Sequence, residues 1–482
     1  MKTYELSPTH ENLQRTYLKD SLARNKNIFH FIRLLNSIEG SYAIALNGKW
    51  GSGKTFFVKQ TKMVLEANND FNQSISGEEK EKIKEIQSQF LDKDELINSH
   101  VCIYYDAWEN DNDDDPVLSL VYAIMQTVST EFSFVERDYL KAGTALLEGV
   151  VKSTLENTTN MLKAGLSVLE HLSGTNWEEI IKGLKGEDPL ESLKKSKSLQ
   201  LKVNDFLNSI LPEKGNRLIV FIDELDRCSP EYAVRLLERI KHYFCNENVT
   251  FVFSINLSEL QHTVKKYYGN SFDGYRYLDR FFNLTVELPP AELDRYYSEI
   301  GFDSSNQVWA IVSDALVKKY HMELREISHY FQLCKLTIGN YLDGLETSRR
   351  QFIREEQYYI FAYIAPIMIA LKSMSLEKYE DFISGIDGSP LIEVSDCLSI
   401  GFFSSLLENS ETFSKNDEVS STAKSVCLKD KLEMLYEALF KTEYNREIRY
   451  HIIGKVQVGE ESKALLTQIS STLSKYAMWD DQ

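Results

Sequence analysis

Residues 48–55 read Gly48-Lys49-Trp50-Gly51-Ser52-Gly53-Lys54-Thr55, the spacing GxxxxGK[ST] of a loop that holds phosphate groups. The residue types account for the chemistry. Glycines lack a Cβ, so the backbone can bend until several N–H groups converge on one anion. A helix opening near Thr55, with Phe56 in its first turn, points unpaired N–H groups and its positive end at the same anion. Lys54 would reach the β- and γ-phosphates, and the Thr55 hydroxyl would hold Mg²⁺. The bland alternative is a glycine turn beside a surface lysine. A strand pattern before the loop and a helix pattern after it favour the phosphate reading.

A second constellation lies far downstream, where the apolar run Leu218–Ile222 ends in Asp223 and Glu224. Alone, two carboxylates after a strand are ordinary turn residues. Paired with a phosphate loop they acquire roles: Asp223 would order Mg²⁺, and Glu224 would polarise an attacking water. A water-activating Glu favours hydrolysis over transfer to an acceptor, for which no pocket is marked. A third apolar run, Val249–Ile255, leads into Asn256. That side chain could sense the γ-phosphate or the attacking water, or simply serve a turn, the commonest use of Asn. Cys228 lies beside these residues with no base nearby and reads as a structural thiol.

The elements that must position these residues follow from periodicity. Residues 20–38 have helical spacing, Tyr42–Leu46 reads as a strand, and Thr55–Glu66 as a helix. Residues 67–99 read as a charged helical excursion. His100–Tyr105 is a strand, and Asp115 before Pro116 caps the next helix. Residues 117–210 look helical with a polar break. Strands follow at Arg217–Ile222, Val249–Ile255 and Asn283–Leu288, with a helix capped by Ser229-Pro230 after the first of them. Apolar strands alternating with helices imply an α/β three-layer fold around a parallel sheet. The expected core is 1–66, 100–130 and 200–290, with a helical insertion at 131–199. A helical lid at 291–350 and a helical C-terminal domain at 351–482 complete the expectation.

The composition narrows the function classes. The chain has 482 residues and a formal charge of −18, with 54 basic against 72 acidic side chains. Such a balance disfavours a protein that coats nucleic acid by electrostatics, though a local basic groove stays open. Six cysteines without a CxxC pair suggest reduced thiols, and the polar N-terminus does not resemble a secretory signal. The longest apolar stretch, Tyr358–Leu371, is short for a membrane span and contains a proline. A cytoplasmic protein is the expectation. Trp108 reads as a packing residue. The acidic run Glu109, Asp111, Asp113, Asp114 and Asp115 reads as a solvated loop with a helix cap.

These motifs together resemble the KAP family of P-loop NTPases. The matching segments are DSLAR at 20–24, NGKWGSGKTFF at 47–57, YYDAWEND at 104–111 and FIDELDRCSPE at 221–231. FVFSINLSEL at 251–260 and YRYLDRFFNLTVELPP at 275–290 continue it, and LREISHYF at 324–331 extends it. The resemblance implies a Mg²⁺-dependent ATPase acting as a switch or assembly protein, mostly prokaryotic and often linked to defence against phage or plasmids. It further implies a homo-oligomer with ATP bound, and because residues 336–482 carry no second catalytic constellation, an effector on a separate protein is the expectation. Family members often carry membrane helices in the insertion, whereas this insertion is polar throughout. The family usually has Asp at the position of Asn256. By the same resemblance Arg280 would be an arginine presented to a neighbouring subunit, and Arg325 a lid arginine reaching the nucleotide. The plainer roles are an ion pair for Arg280 and a solvated helix-face charge for Arg325; Arg227 is a third candidate, and the sequence does not rank the three. No guanine-reading NKxD motif appears, so ATP is the expected nucleotide.

Overall fold

The computed structural model describes residues 6–92, 95–113, 115–132, 203–208, 210–211, 215–244, 246–305, 307–339, 355–407, 427–443 and 449–477. The insertion expected at 131–199 lies outside them apart from its first two residues. The chain forms two compact units, Ser7–Arg295 and Tyr296–Gln482, the latter with Met1–Leu6.

The first unit is built on five parallel strands: β1 (Tyr42–Asn47), β2 (His100–Asp106), β3 (Arg217–Asp223), β4 (Val249–Ile255) and β5 (Leu284–Glu287), in the order β2-β3-β4-β1-β5. All seven residues of β3 and of β4 are buried, as near-continuous apolar runs require when both sheet faces are covered. Alternation divides them between the faces. Leu218, Val220 and Ile222 pack with helices α5 (Pro116–Glu131), α6 (Pro230–Tyr243), α7 (Leu257–Tyr268) and α8 (Gly274–Asp279). Ile219 and Phe221 pack with α1 (His10–Leu18), α2 (Asn25–Ser37), α3 (Lys54–Ala67) and α4 (Gly77–Gln87). The expected three-layer arrangement is therefore present. The excursion is less helical than expected. Within 67–99, α4 is the one complete helix among the described residues, started by a capping box of Ser76 and Glu79.

Local chemistry sets the helix starts as read. Asp115 accepts from the Val117 N–H with Pro116 at the first position, and Ser229 accepts from the Tyr232 N–H with Pro230 behind it. In the second unit the apolar stretch becomes a helix, Glu355–Met374, with Ala362–Leu371 buried around Pro366. No helix among the described residues is long and apolar enough to cross a membrane. One expectation for this unit needs correction, since residues 291–482 are not all helical. Tyr450–Ile453 and Val456–Gly459 form an antiparallel hairpin joined by Gly454-Lys455, with Gly454 at φ 61°. A two-residue hairpin turn needs positive φ, which glycine supplies at no steric cost. The five described cysteines are free thiols.

Candidate nucleotide site

The phosphate loop leaves β1 and enters α3 through backbone that only glycine adopts easily. Gly51 and Gly53 have φ of 78° and 91°. Gly48 is glycine for space: a Cβ there would lie 2.9 Å from Ser52 Oγ, 3.2 Å from Lys54 Cγ and 3.3 Å from Leu288 Cβ. The Gly48 N–H donates to the Ile255 carbonyl at 3.1 Å, so the loop starts pinned to β4. Lys54, nearly buried, folds back and donates to the carbonyls of Gly48 at 2.7 Å and Lys49 at 3.1 Å. Burial lowers the Lys54 pKa, against the pull of Asp226, Asp223 and Glu224. Ser52 Oγ is buried with no hydrogen-bond partner among the described residues. Phe56 buries its ring, so what it offers a ligand is its backbone N–H in the unpaired first turn of α3.

The acidic strand faces this loop from two positions away, since β4 separates β1 from β3. Two interstrand spacings amount to about 10 Å. The helix bridges that gap: Thr55 Oγ1 donates to Asp223 Oδ2 at 2.7 Å. Tyr104 from β2 donates its hydroxyl to the same oxygen at 3.0 Å, and the Glu224 N–H donates to Asp223 Oδ1 at 3.0 Å. Glu224 adopts φ 59°, ψ 22°, a left-handed conformation costing a non-glycine residue about 1 kcal/mol or more. Its carboxyl is pushed up to about 7 by burial and by Asp223, against Arg227 and Lys54. Arg227 Nε lies 2.6 Å from Glu224 Oε2, and its guanidinium lies 5.4 Å from the centre of the Trp108 ring. Asp226, buried, accepts from the Trp50 indole N–H at 2.5 Å. A phosphate cradle, a hydroxyl–carboxylate pair and a second carboxylate thus share one edge of the sheet.

Residues 24–304, more than half of the chain, match the KAP family P-loop domain. The chain belongs to the KAP family. It is also similar to an uncharacterized protein of Methanocaldococcus jannaschii, 33% identical over 176 residues covering 32% of this chain and 87% of that protein.

The remaining expected residues of this KAP protein fall in different surroundings. Asn256 follows β4, adjacent to the end of β1, and its Oδ1 accepts from the Ser258 hydroxyl at 2.7 Å. Arg280 ends α8 exposed, and its guanidinium makes no ion pair among the described residues; its carbonyl accepts from Lys241. Arg325 is exposed on the helix Leu324–Cys334 of the second unit. Trp108 departs from its expected packing role, because 54% of it is exposed and its contact is Arg227. Its indole belongs to a loop beyond β2, outside the core. In the acidic run, Asp111 accepts from the Ser229 N–H and hydroxyl at 3.0 and 2.8 Å, which fastens the loop to α6.

Two site residues were missed in the sequence. Tyr104 stands inside the YYDAWEND segment, but its tie to Asp223 depends on β2 pairing with β3 in a register that sets Asp106 opposite Asp223. Asp226 stands within FIDELDRCSPE, where no local pattern assigns it a role, and its partner Trp50 lies in the phosphate loop. Asn47 also organises the edge: it donates to Glu287 of β5 at 3.0 Å and accepts from the Leu257 N–H at 2.9 Å.

Proposed function

We propose that this KAP protein binds ATP with Mg²⁺ and hydrolyses it, using the cycle to change its assembly state. The observation that carries the reading is the Thr55–Asp223 contact at 2.7 Å beneath a loop whose lysine and Ser52 hydroxyl await an anion. A hydroxyl and a carboxylate are the hard oxygen donors that Mg²⁺ prefers, and the glycine cradle admits phosphate oxygens, so the residues fit both groups. Bound there, Mg²⁺ would supply charge neutralisation on the β- and γ-phosphates.

The residues divide the remaining work. Lys54 exchanges two carbonyls for phosphate oxygens, and the loop and first-turn N–H groups of Lys49 to Phe56 orient the triphosphate. Glu224 accepts the proton of the attacking water, Asn256 contacts that water or the γ-phosphate, and Arg280 serves the site of a neighbouring copy. The resemblance extends the proposal to an assembly protein of a prokaryotic defence or stress system; the cysteine pattern adds a cytoplasmic location, and the tail without a catalytic constellation adds an effector on a separate protein. Glu224→Gln should lower hydrolysis by about a hundredfold or more while nucleotide still binds. Lys54→Ala should lose binding. Wild-type hydrolysis by Glu224→Gln would sink the assignment.

The Arg227 contact on Glu224 favours a second reading, a nucleotide-organised scaffold with slow turnover. In that case ATP would still enlarge the particle in Glu224→Gln but not in Lys54→Ala, and wild-type turnover would be negligible.

A further inference from the structure

The segment after β3 is a three-residue 3₁₀ turn, Leu225–Arg227, entered through Glu224. The Arg227 N–H donates to the Glu224 carbonyl at 3.1 Å, which brings the two residues together. Glu224 and Arg227 therefore meet, with Nε and Oε2 at 2.6 Å and only 24% of the Arg and 18% of the Glu side chain exposed. Arg227 is backed by the Trp108 ring. The turn is held on its other side too, because Asp226 takes the indole N–H of Trp50 from the phosphate loop. One short turn thus joins the water-activating carboxylate to two loops and two half-exposed tryptophans.

A carboxylate acts as a base through a lone pair directed at the water it deprotonates. In this arrangement one oxygen of Glu224 is committed to the guanidinium. We propose that Arg227 is a positioning residue that restrains Glu224 with nucleotide bound as well as without it, with Trp108 holding Arg227 and the Asp226–Trp50 bond tying the turn to the phosphate loop. Turnover then waits on the fraction of nucleotide-bound molecules in which Glu224 has left the guanidinium to meet water. This inference rests on the reading of Glu224 as the water-activating base.

The test is steady-state ATP hydrolysis and equilibrium ATP binding by the full chain. Arg227→Gln should raise kcat about threefold to tenfold, with KM and ATP affinity within about twofold of wild type. Trp108→Ala alters an exposed residue and should move kcat in the same direction by less, which settles the matter even where Arg227→Gln folds poorly. Glu224→Gln combined with Arg227→Gln should hydrolyse no faster than Glu224→Gln alone. Unchanged kcat in both Arg227→Gln and Trp108→Ala overturns the restraint. A fall in kcat that Arg227→Lys restores also overturns it, making Arg227 a phosphate-contacting group. Wild-type hydrolysis by Glu224→Gln alone would instead remove the reading of the site on which the restraint stands.

Discussion

A buried charge cluster at the far end of α3 from the phosphate loop makes a pH-dependent prediction. Lys62 bonds Glu66 and lies 3.1 Å from Glu131, whose other oxygen accepts from Asn72 Nδ2 at 3.1 Å. The three side chains are 14%, 7% and 19% exposed. One ammonium cannot neutralise two buried carboxylates. Burial therefore raises the Glu66 pKa well above the usual carboxylate range; Lys62 opposes the shift and Glu131 adds to it. Burial works against the Lys62 charge, but the two carboxylates outweigh it, so Lys62 stays protonated through neutrality. In the unfolded chain Glu66 releases its proton in the ordinary range, while the folded chain keeps it to higher pH. Between those two values the folded state binds more protons, so its stability falls as pH rises, by up to about 1.4 kcal/mol per pH unit. The contribution is full below the unfolded pKa and lost as pH rises through the folded one. Glu66→Gln copies the protonated form. It should match wild type within about 1 kcal/mol near about pH 4.5 and exceed it by about 1–3 kcal/mol near about pH 8.5. Urea unfolding followed by far-UV circular dichroism across this range, taken as the difference between the two proteins, cancels the histidine titrations. Parallel curves, or wild type gaining on the variant as pH rises, would refute the shared-proton account.

Two further perturbations address the site. Gly48→Ala places a methyl against Ser52 Oγ and Leu288 Cβ, and such overpacking costs about 1–3 kcal/mol. Nucleotide affinity should fall about tenfold with the circular dichroism spectrum retained, and an unchanged affinity would show that the loop yields there. Arg280→Ala removes an exposed side chain and should leave the melting temperature unchanged. If the proposed trans contact operates, turnover per molecule stops rising with protein concentration in the variant, whereas a wild-type concentration profile would exclude Arg280.

The parts of the site carried by local sequence were legible, and the parts carried by register were not. Lys54, Thr55 and the glycines sit within eight residues whose spacing encodes their geometry. Asp223 and Glu224 were legible because an apolar strand delivers its last residues to one edge. Tyr104 reaches Asp223 across 119 residues of sequence, and Trp50 reaches Asp226 across 176. Neither contact is implied by any local pattern. Trp108 was misread because a large aromatic is usually buried, and nothing nearby in sequence announces a cation beneath it. The C-terminal hairpin was misread because the surrounding residues are helical. The signal was present as Gly454-Lys455 between alternating apolar residues, too short to outweigh its neighbours.

The strand order explains why so few residues suffice. If β1 and β3 were adjacent, the loop and the acidic strand end would lie about 5 Å apart at the backbone, leaving little room above them for a triphosphate. With β4 between them, the edge gains a floor formed by Ile255 and Asn256, pinned to the loop through the Gly48 N–H. The phosphate loop and Asp223 then face each other across that floor, joined through Thr55. Cationic groups concentrate at the same edge: Lys54 lies on one side and Arg227 on the other, each turned toward partners within the protein. On the proposed reading an acidic chain binds a polyanion through few charges, with Lys54 leaving its carbonyls for the anion toward which the glycine backbone directs its N–H groups. On that reading the Gly48 and Lys49 carbonyls that hold Lys54 set part of the energy that binding must supply.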